Sequence, residues 1–144
     1  MFIVSIKSNL NELVDVDKKI LSTLNIAIHQ AGFMLEAAIK QDIASFPSVD
    51  TGRYLNSVTT DIGIPFVARV FTEVPYAIFL EYGTSPHFVK PATKQALAWN
   101  GGGEFFFSKG HMVRGIAPRS HFSRTADFMA PEIGDFVNGE LASV

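Results

Sequence analysis

Cysteine is absent from the 144 residues, which excludes disulfide staples, thiol nucleophiles and cysteine-ligated zinc. That fits a reducing compartment. Charge is sparse, 18% of residues against 47% hydrophobic, a balance too apolar for a disordered chain. Long apolar runs are missing too. Nothing approaches the roughly 20 residues of a membrane-spanning helix, and Met1 to Ile6 is too short for the core of a secretion signal. A soluble protein without a membrane partner is expected. No repeat or low-complexity linker divides the sequence, so residues 1–144 are expected to form a single domain with room for a proper core. Phenylalanine, by contrast, is abundant: thirteen residues, enough that some aromatic surface is expected to remain for a partner subunit.

The net charge of −2 conceals a split along the chain. From Pro86 to Thr125, Lys90, Lys94, Lys109, Arg114, Arg119 and Arg124 stand against Glu104 alone, a net of +5; the other residues hold six basic and thirteen acidic side chains, a net of −7. A basic segment in an acidic body points to contact with further copies of the chain or with an anionic partner.

The stretch from Val49 to Thr84 organises the rest. Asp50-Thr51-Gly52 reads as a turn, because Asp can bond the backbone two residues on and Gly accepts a positive φ. Val58, Thr60, Ile62 and Ile64 alternate with Ser57, Thr59, Asp61 and Gly63, and after Gly63-Ile64-Pro65 a second alternation runs from Phe66 to Val74. This is the pattern of an antiparallel hairpin with one apolar face and one wet face carrying Asp61, Arg69 and Glu73. Pro75 is placed to open a short helix and Gly83 to close it, with Tyr76, Phe79 and Leu80 on one face. Upstream, Phe2 to Ile6 reads as an edge strand of the same sheet. Ile20, Leu24, Ala27, Ile28, Ala31, Leu35, Ala38 and Ile39 recur at spacings of three and four, predicting a helix over about 17–45. Asp17 is its candidate N-cap and Pro47 its stop, while Gly32 inside it implies close approach of another element.

Downstream, Thr84 to Pro91 is extended. A second hairpin joins the short element ending Ala96-Leu97-Ala98-Trp99 to Glu104-Phe105-Phe106-Phe107-Ser108 across Asn100-Gly101-Gly102-Gly103. Lys109 to Ser120 lacks periodicity and reads as a long, mobile loop. From His121 to about Leu141 the helical pattern returns in Phe122, Ala126, Met129, Ile133, Phe136 and Val137, weakened by Pro131 and Gly134. The expected class is α+β: a long N-terminal helix packed on a mainly antiparallel sheet, with a short middle helix and a C-terminal helix.

Candidate chemistry is thin. His87, His111 and His121 with Asp61, Glu81 or Glu104 match no metal-ligand spacing, and Lys90, Lys109 and Arg114 would repel a cation. Ser85 and His87 sit two apart on an extended segment without a third member for a triad. Gly101 to Gly103 lacks the Gly-Lys-Ser/Thr of a phosphate loop. His29 reads as a structural histidine beside the long helix's stripe, and Glu81 as the partner of Arg53 or a nearby lysine. Phe105 to Phe107 beside Lys109 could stack single-stranded nucleic acid, although core packing of alternate phenylalanines is the preferred reading.

Several of these motifs carry a resemblance. Asp50-Thr51-Gly52-Arg53, Asn56-Ser57-Val58, Pro75-Tyr76-Ala77 and Glu81-Tyr82-Gly83-Thr84 resemble the minor tail component or tail-completion (head–tail joining) proteins of long-tailed bacteriophages. Pro86-His87, Lys90-Pro91, Lys94 with Ala96 to Trp99, Phe105 to Phe107, His111, Gly115, Pro118 and Phe122 continue it, so that it spans about Ala31 to Ala126. The sequence departs from the pattern at Arg119-Ser120-His121-Phe122, where a Pro-Phe-Leu type entry to the last helix is expected. The resemblance implies a structural virion protein, of free phage or prophage, rather than an enzyme. It implies no cofactor, assembly as a ring of identical copies in tail completion or head–tail joining, and contact with tail-tube, tail-terminator or head-connector proteins. Such a protein resides in the host cytoplasm during assembly and then in the virion. Lys109, Arg114 and Arg119 are the expected assembly contacts. Asp50, Thr51, Gly52, Arg53, Glu81, Tyr82 and Gly83 are the structural motif. A small nucleic-acid-binding module using the basic loop is the alternative, and a hydrolase comes third.

Overall fold

A computed structural model describes residues 2–7, 18–46 and 52–143. The order is β1 (Phe2–Lys7), α1 (Lys18–Ala44), α2 (Arg53–Ser57), β2 (Thr59–Ile64), β3 (Val67–Thr72), α3 (Ala77–Tyr82), β4 (His87–Val89), β5 (Leu97–Gly101), β6 (Glu104–Ser108), β7 (His111–Val113) and α4 (His121–Ala142). This is the expected α+β architecture, with every strand pair antiparallel. The candidate cap Asp17, the stop Pro47 and the turn residues Asp50 and Thr51 lie outside the described residues.

The first sheet has the order β1-β3-β2, so the N-terminal strand takes the edge expected of it. β3 is central, and its residues alternate between buried and half-buried, with Ala68, Val70 and Thr72 inward. Across them lies α1, which buries Leu24, Ala27, Ile28, Ala31, Leu35, Ile39 and Ile43, most of the stripe that its periodicity predicts, although Ile20 at the start of the stripe is 38% exposed and Ala38 is half-buried. The same helix packs along α4, where Phe122, Met129 and Ile133 complete the core with Tyr54, Val58 and Ala77. Gly32 marks the crossing of helix and sheet. A Cβ there would stand 2.5 Å from the Ala68 Cβ and 3.0 Å from the Thr60 Cγ2, so a side chain would force the layers apart. Thr60 also donates to the Glu36 carboxylate, 2.6 Å.

Five expectations are corrected. The apolar face of the first hairpin is covered only in part: Ile62 and Ile64 are 39% and 42% exposed, because β2 is an edge strand whose ladder shifts between Asp61 and Ile64. Phe66 belongs to the turn, with φ of 58° and its amide held by Asn25 Oδ1 at 2.7 Å. Pro75 does not open α3. It sits with Tyr76 in a preceding turn, and the helix buries Ala77 and Glu81 while Tyr76 and Phe79 stand 39% and 50% exposed. Lys109 to Ser120 is not featureless, since β7 lies within it and pairs with β4, His87 opposite Val113 and Val89 opposite His111. The hairpin of β5 and β6 forms its own two-stranded sheet rather than extending the first.

Candidate functional site

α4 begins where four chain segments meet. Ser120, at its N-cap, has φ of 52° and makes no side-chain cap, leaving the first amides of the helix in need of acceptors. Glu81 supplies them from α3. Its Oε2 accepts from the Phe122 N–H at 3.0 Å, and its Oε1 accepts from the Ser123 N–H at 2.9 Å and the Ser123 hydroxyl at 2.7 Å. The residue is 2% exposed. Its charge is favourably placed at the positive end of the helix. Backbone bonds from Arg119 to the Leu80 carbonyl, 2.8 Å, and from Ser120 to the Glu81 carbonyl, 3.3 Å, lie beside it. The Glu81 partners expected from sequence were basic side chains; the bonds described here are an N-terminal helix cap.

Beside this junction Asp42 gathers a second set of polar groups. Its Oδ2 lies 2.6 Å from Nδ1 of His121, which is 2% exposed, and Arg124 Nη2 lies 2.7 Å from both carboxylate oxygens. The His121 ring meets Phe46 edge-on with centroids 4.8 Å apart, and Arg119 lies over the same phenylalanine at 4.9 Å. Tyr54 packs within 5.9 Å of His121. Burial, followed by the nearby Glu81 and Asp42 charges, raises the pKa of its hydroxyl. These contacts lock α1, α3 and α4 together.

The other feature is an arm. Thr84 and Ile116 form an isolated antiparallel bridge, with the Thr84 N–H to the Ile116 carbonyl at 2.8 Å and the return bond at 3.2 Å. Between these two residues the chain runs out through β4, β5 and β6 and back through β7. Trp99 connects the two ribbons, stacked on Phe106 at 5.9 Å and against His111 at 5.2 Å. Strand pairing puts Phe105 and Phe107 on the other face of the hairpin, opposite the small Asn100 and Ala98. They are 68% and 70% exposed, and Phe88 and Met112, paired across the β4–β7 ladder, are 60% and 63% exposed. The phenylalanine run is therefore not core. Alternation buries one face of a hairpin only when another layer covers it, and among the described residues no helix packs closely on β5 or β6.

A family model described as "Bacteriophage HK97-gp10, putative tail-component" matches residues 5–83, more than half of the chain. The chain belongs to the HK97-gp10-like family of phage tail components. No curated protein and no solved structure matches it. The match runs from Ser5, within β1, to Gly83 and so includes α1, β2, β3 and the motif residues, whereas the resemblance was expected to run from about Ala31 to Ala126. The arm and α4 of this tail component lie beyond the matched residues.

Among the motif residues that the structure describes, the two glycines hold positions with positive φ. Gly52 has φ of 68° and caps α2, which Arg53 begins. Gly83 has φ of 73°, and a Cβ on it would stand 2.5 Å from the Ile116 carbonyl oxygen, so the end of α3 and the base of the arm both require glycine there. Tyr82 is 70% exposed. The three expected assembly residues do not all belong to one surface: Lys109 is exposed between β6 and β7, Arg114 is exposed at the arm's base, and Arg119 lies against Phe46 in the body. Among the described residues no group of three or more His, Asp and Glu side chains could hold a metal ion. Also among them, no helix is long and apolar enough to cross a membrane. Sequence reasoning missed the Glu81 and Asp42 junctions. The signal was a carboxylate on the otherwise apolar α3.

Proposed function

We propose that this tail component is a single-domain virion morphogenesis protein of tail completion or head–tail joining, assembling as a ring of identical copies. The observation that carries the reading is the exposed aromatic arm. His87 to Arg114 holds Lys90, Lys94, Lys109 and Arg114 against Glu104, a net of +3, on a chain whose other residues sum to −5. A two-stranded ribbon is marginal alone in water, and several large apolar side chains exposed on one projection mark a surface for another protein. Opposite net charges on arm and remainder suit contact between copies, with charge steering the encounter. Lys109 and Arg114 are its contacts, while Arg119 acts by holding the base of the arm to Phe46. A tail-tube, tail-terminator or head-connector protein would stack against the ring. The mechanism is assembly in the host cytoplasm followed by retention in the virion, with no turnover.

The test is complementation of a phage lacking the gene. Particles made without the protein should accumulate as unjoined heads and incomplete tails, and the wild-type gene should restore joining, with the protein recovered in purified virions. Normal particles formed without the gene would refute the reading. The basic and aromatic arm also suits single-stranded nucleic acid, and tight binding that falls steeply with salt would favour that function instead.

A further inference from the structure

We infer that the contact between neighbouring copies is made by the arm of one copy against the outer face of α4 on the next, with Phe105 and Phe107 seated around Phe128; this rests on the ring reading above. At 78% exposed, Phe128 is the most exposed of the large apolar side chains among the described residues. It stands among carboxylates. Asp127 precedes it, and Glu132 lies one turn on and Asp135 two turns on along the same exposed side of the helix; the base one turn back, Arg124, is already paired with Asp42. An aromatic side chain flanked by acids is the counterpart of an aromatic pair flanked by lysines. Lys94 and Lys109 are exposed just outside the strand ends Leu97 and Ser108, and Lys90 is exposed beyond β4. The apolar centres would be buried and the charges would form the rim, as in protein interfaces generally.

Within one chain the two surfaces do not cover each other, since Phe105, Phe107 and Phe128 all remain exposed. They are different patches, and within a ring their union is heterologous: each copy offers an arm to one neighbour and an α4 face to the other, and such contacts close when the rotation permits.

The experiment compares self-association of the wild-type chain, Phe128→Ser, and the double variant Phe105→Ser with Phe107→Ser, by sedimentation velocity up to millimolar concentration. All three side chains are mostly exposed, so both variants should melt as the wild type does, which circular dichroism checks. Each variant alone should associate about 30-fold or more weakly than the wild type, the scale of an aromatic anchor removed from an interface. Mixed in equal amounts, they should form heterodimers and nothing larger, because the pair retains one intact arm and one intact α4 face. A wild type that stays monomeric throughout refutes the ring reading and the interface with it. A wild type that assembles while either variant assembles equally well refutes this interface alone. Binding of a single-stranded oligonucleotide by the wild type, lost in the Phe105/Phe107 variant while assembly is unaffected, would assign the arm to nucleic acid.

Discussion

Replacing Glu81 should uncouple α4 from the rest of the fold. In Glu81→Ala the buried Phe122 N–H loses its 3.0 Å acceptor, and the Ser123 N–H and hydroxyl lose theirs at 2.9 and 2.7 Å. Stranding one buried donor costs about 1–3 kcal/mol, and losing a helix cap costs about 0.5–2 kcal/mol. The two overlap, because the stranded amides are the uncapped ones, and Ser123 can partly rehydrate. Together they give a loss of about 2–4 kcal/mol, a large share of the roughly 5–15 kcal/mol that holds a domain folded. Glu81→Gln keeps one oxygen but turns an NH2 group toward other donors, so it should fall between Glu81→Ala and the wild type. Ser123→Ala removes only the hydroxyl bond and should cost about 1 kcal/mol. Urea melts measure all three, with an unchanged slope required for the comparison. A Glu81→Ala loss below about 0.5 kcal/mol would refute the capping argument.

Leu35, 1% exposed in the main core, should cost about 2–5 kcal/mol when truncated to Ala, and a denaturant melt showing under about 0.5 kcal/mol would mean that α1 turns its stripe elsewhere. Gly83→Val should destabilise more than Thr84→Val, because it combines a left-handed backbone with a Cβ 2.5 Å from the Ile116 oxygen, whereas Thr84→Val gives up one 2.9 Å bond to the Ile116 amide, worth about 1 kcal/mol; equal melting temperatures would contradict this. Burial raises the pKa of Glu36, but hydrogen bonds from Lys40 and Thr60 and the Lys40 charge outweigh it, leaving the pKa below its ordinary value of 4.5. A lowered carboxylate pKa contributes stability that is complete above that ordinary value and fades as pH falls through the folded one. Stability measured from pH 6 to 3 should therefore drop less in Glu36→Gln than in the wild type, and parallel curves would show the Glu36 contacts to be energetically idle.

Where order depends on near neighbours, the sequence is readable. The three-and-four spacing from Ile20 to Ile39 requires one buried helix face, and from Leu24 onward that face is turned inward. Gly32 announced a close approach without naming Ala68, since spacing reports that a face is crowded but not by what. Glu81 and its acceptor role lie 41 positions apart from Phe122, and no local pattern links a carboxylate on one helix to bare amides on another. The Phe105 to Phe107 run misled for a related reason: alternation describes a strand's two faces, and whether a layer lies over either is a property of the assembled chain. His111–Val113 is a three-residue strand, too short to show a period, and only its pairing with His87–Val89 distinguishes it from loop.

The Thr84–Ile116 bridge has a consequence for how such a chain can vary. Because the arm leaves and rejoins the body at adjacent residues, everything between them is an insertion whose length the body does not register. Paired residues could be added to or deleted from the ribbons in register, lengthening or shortening the projection by about 3.4 Å per pair, while Gly83, Glu81 and the start of α4 kept their places. Reach toward a neighbour and stability of the scaffold can thus change independently, one by lengthening or shortening a ribbon, the other by repacking a core.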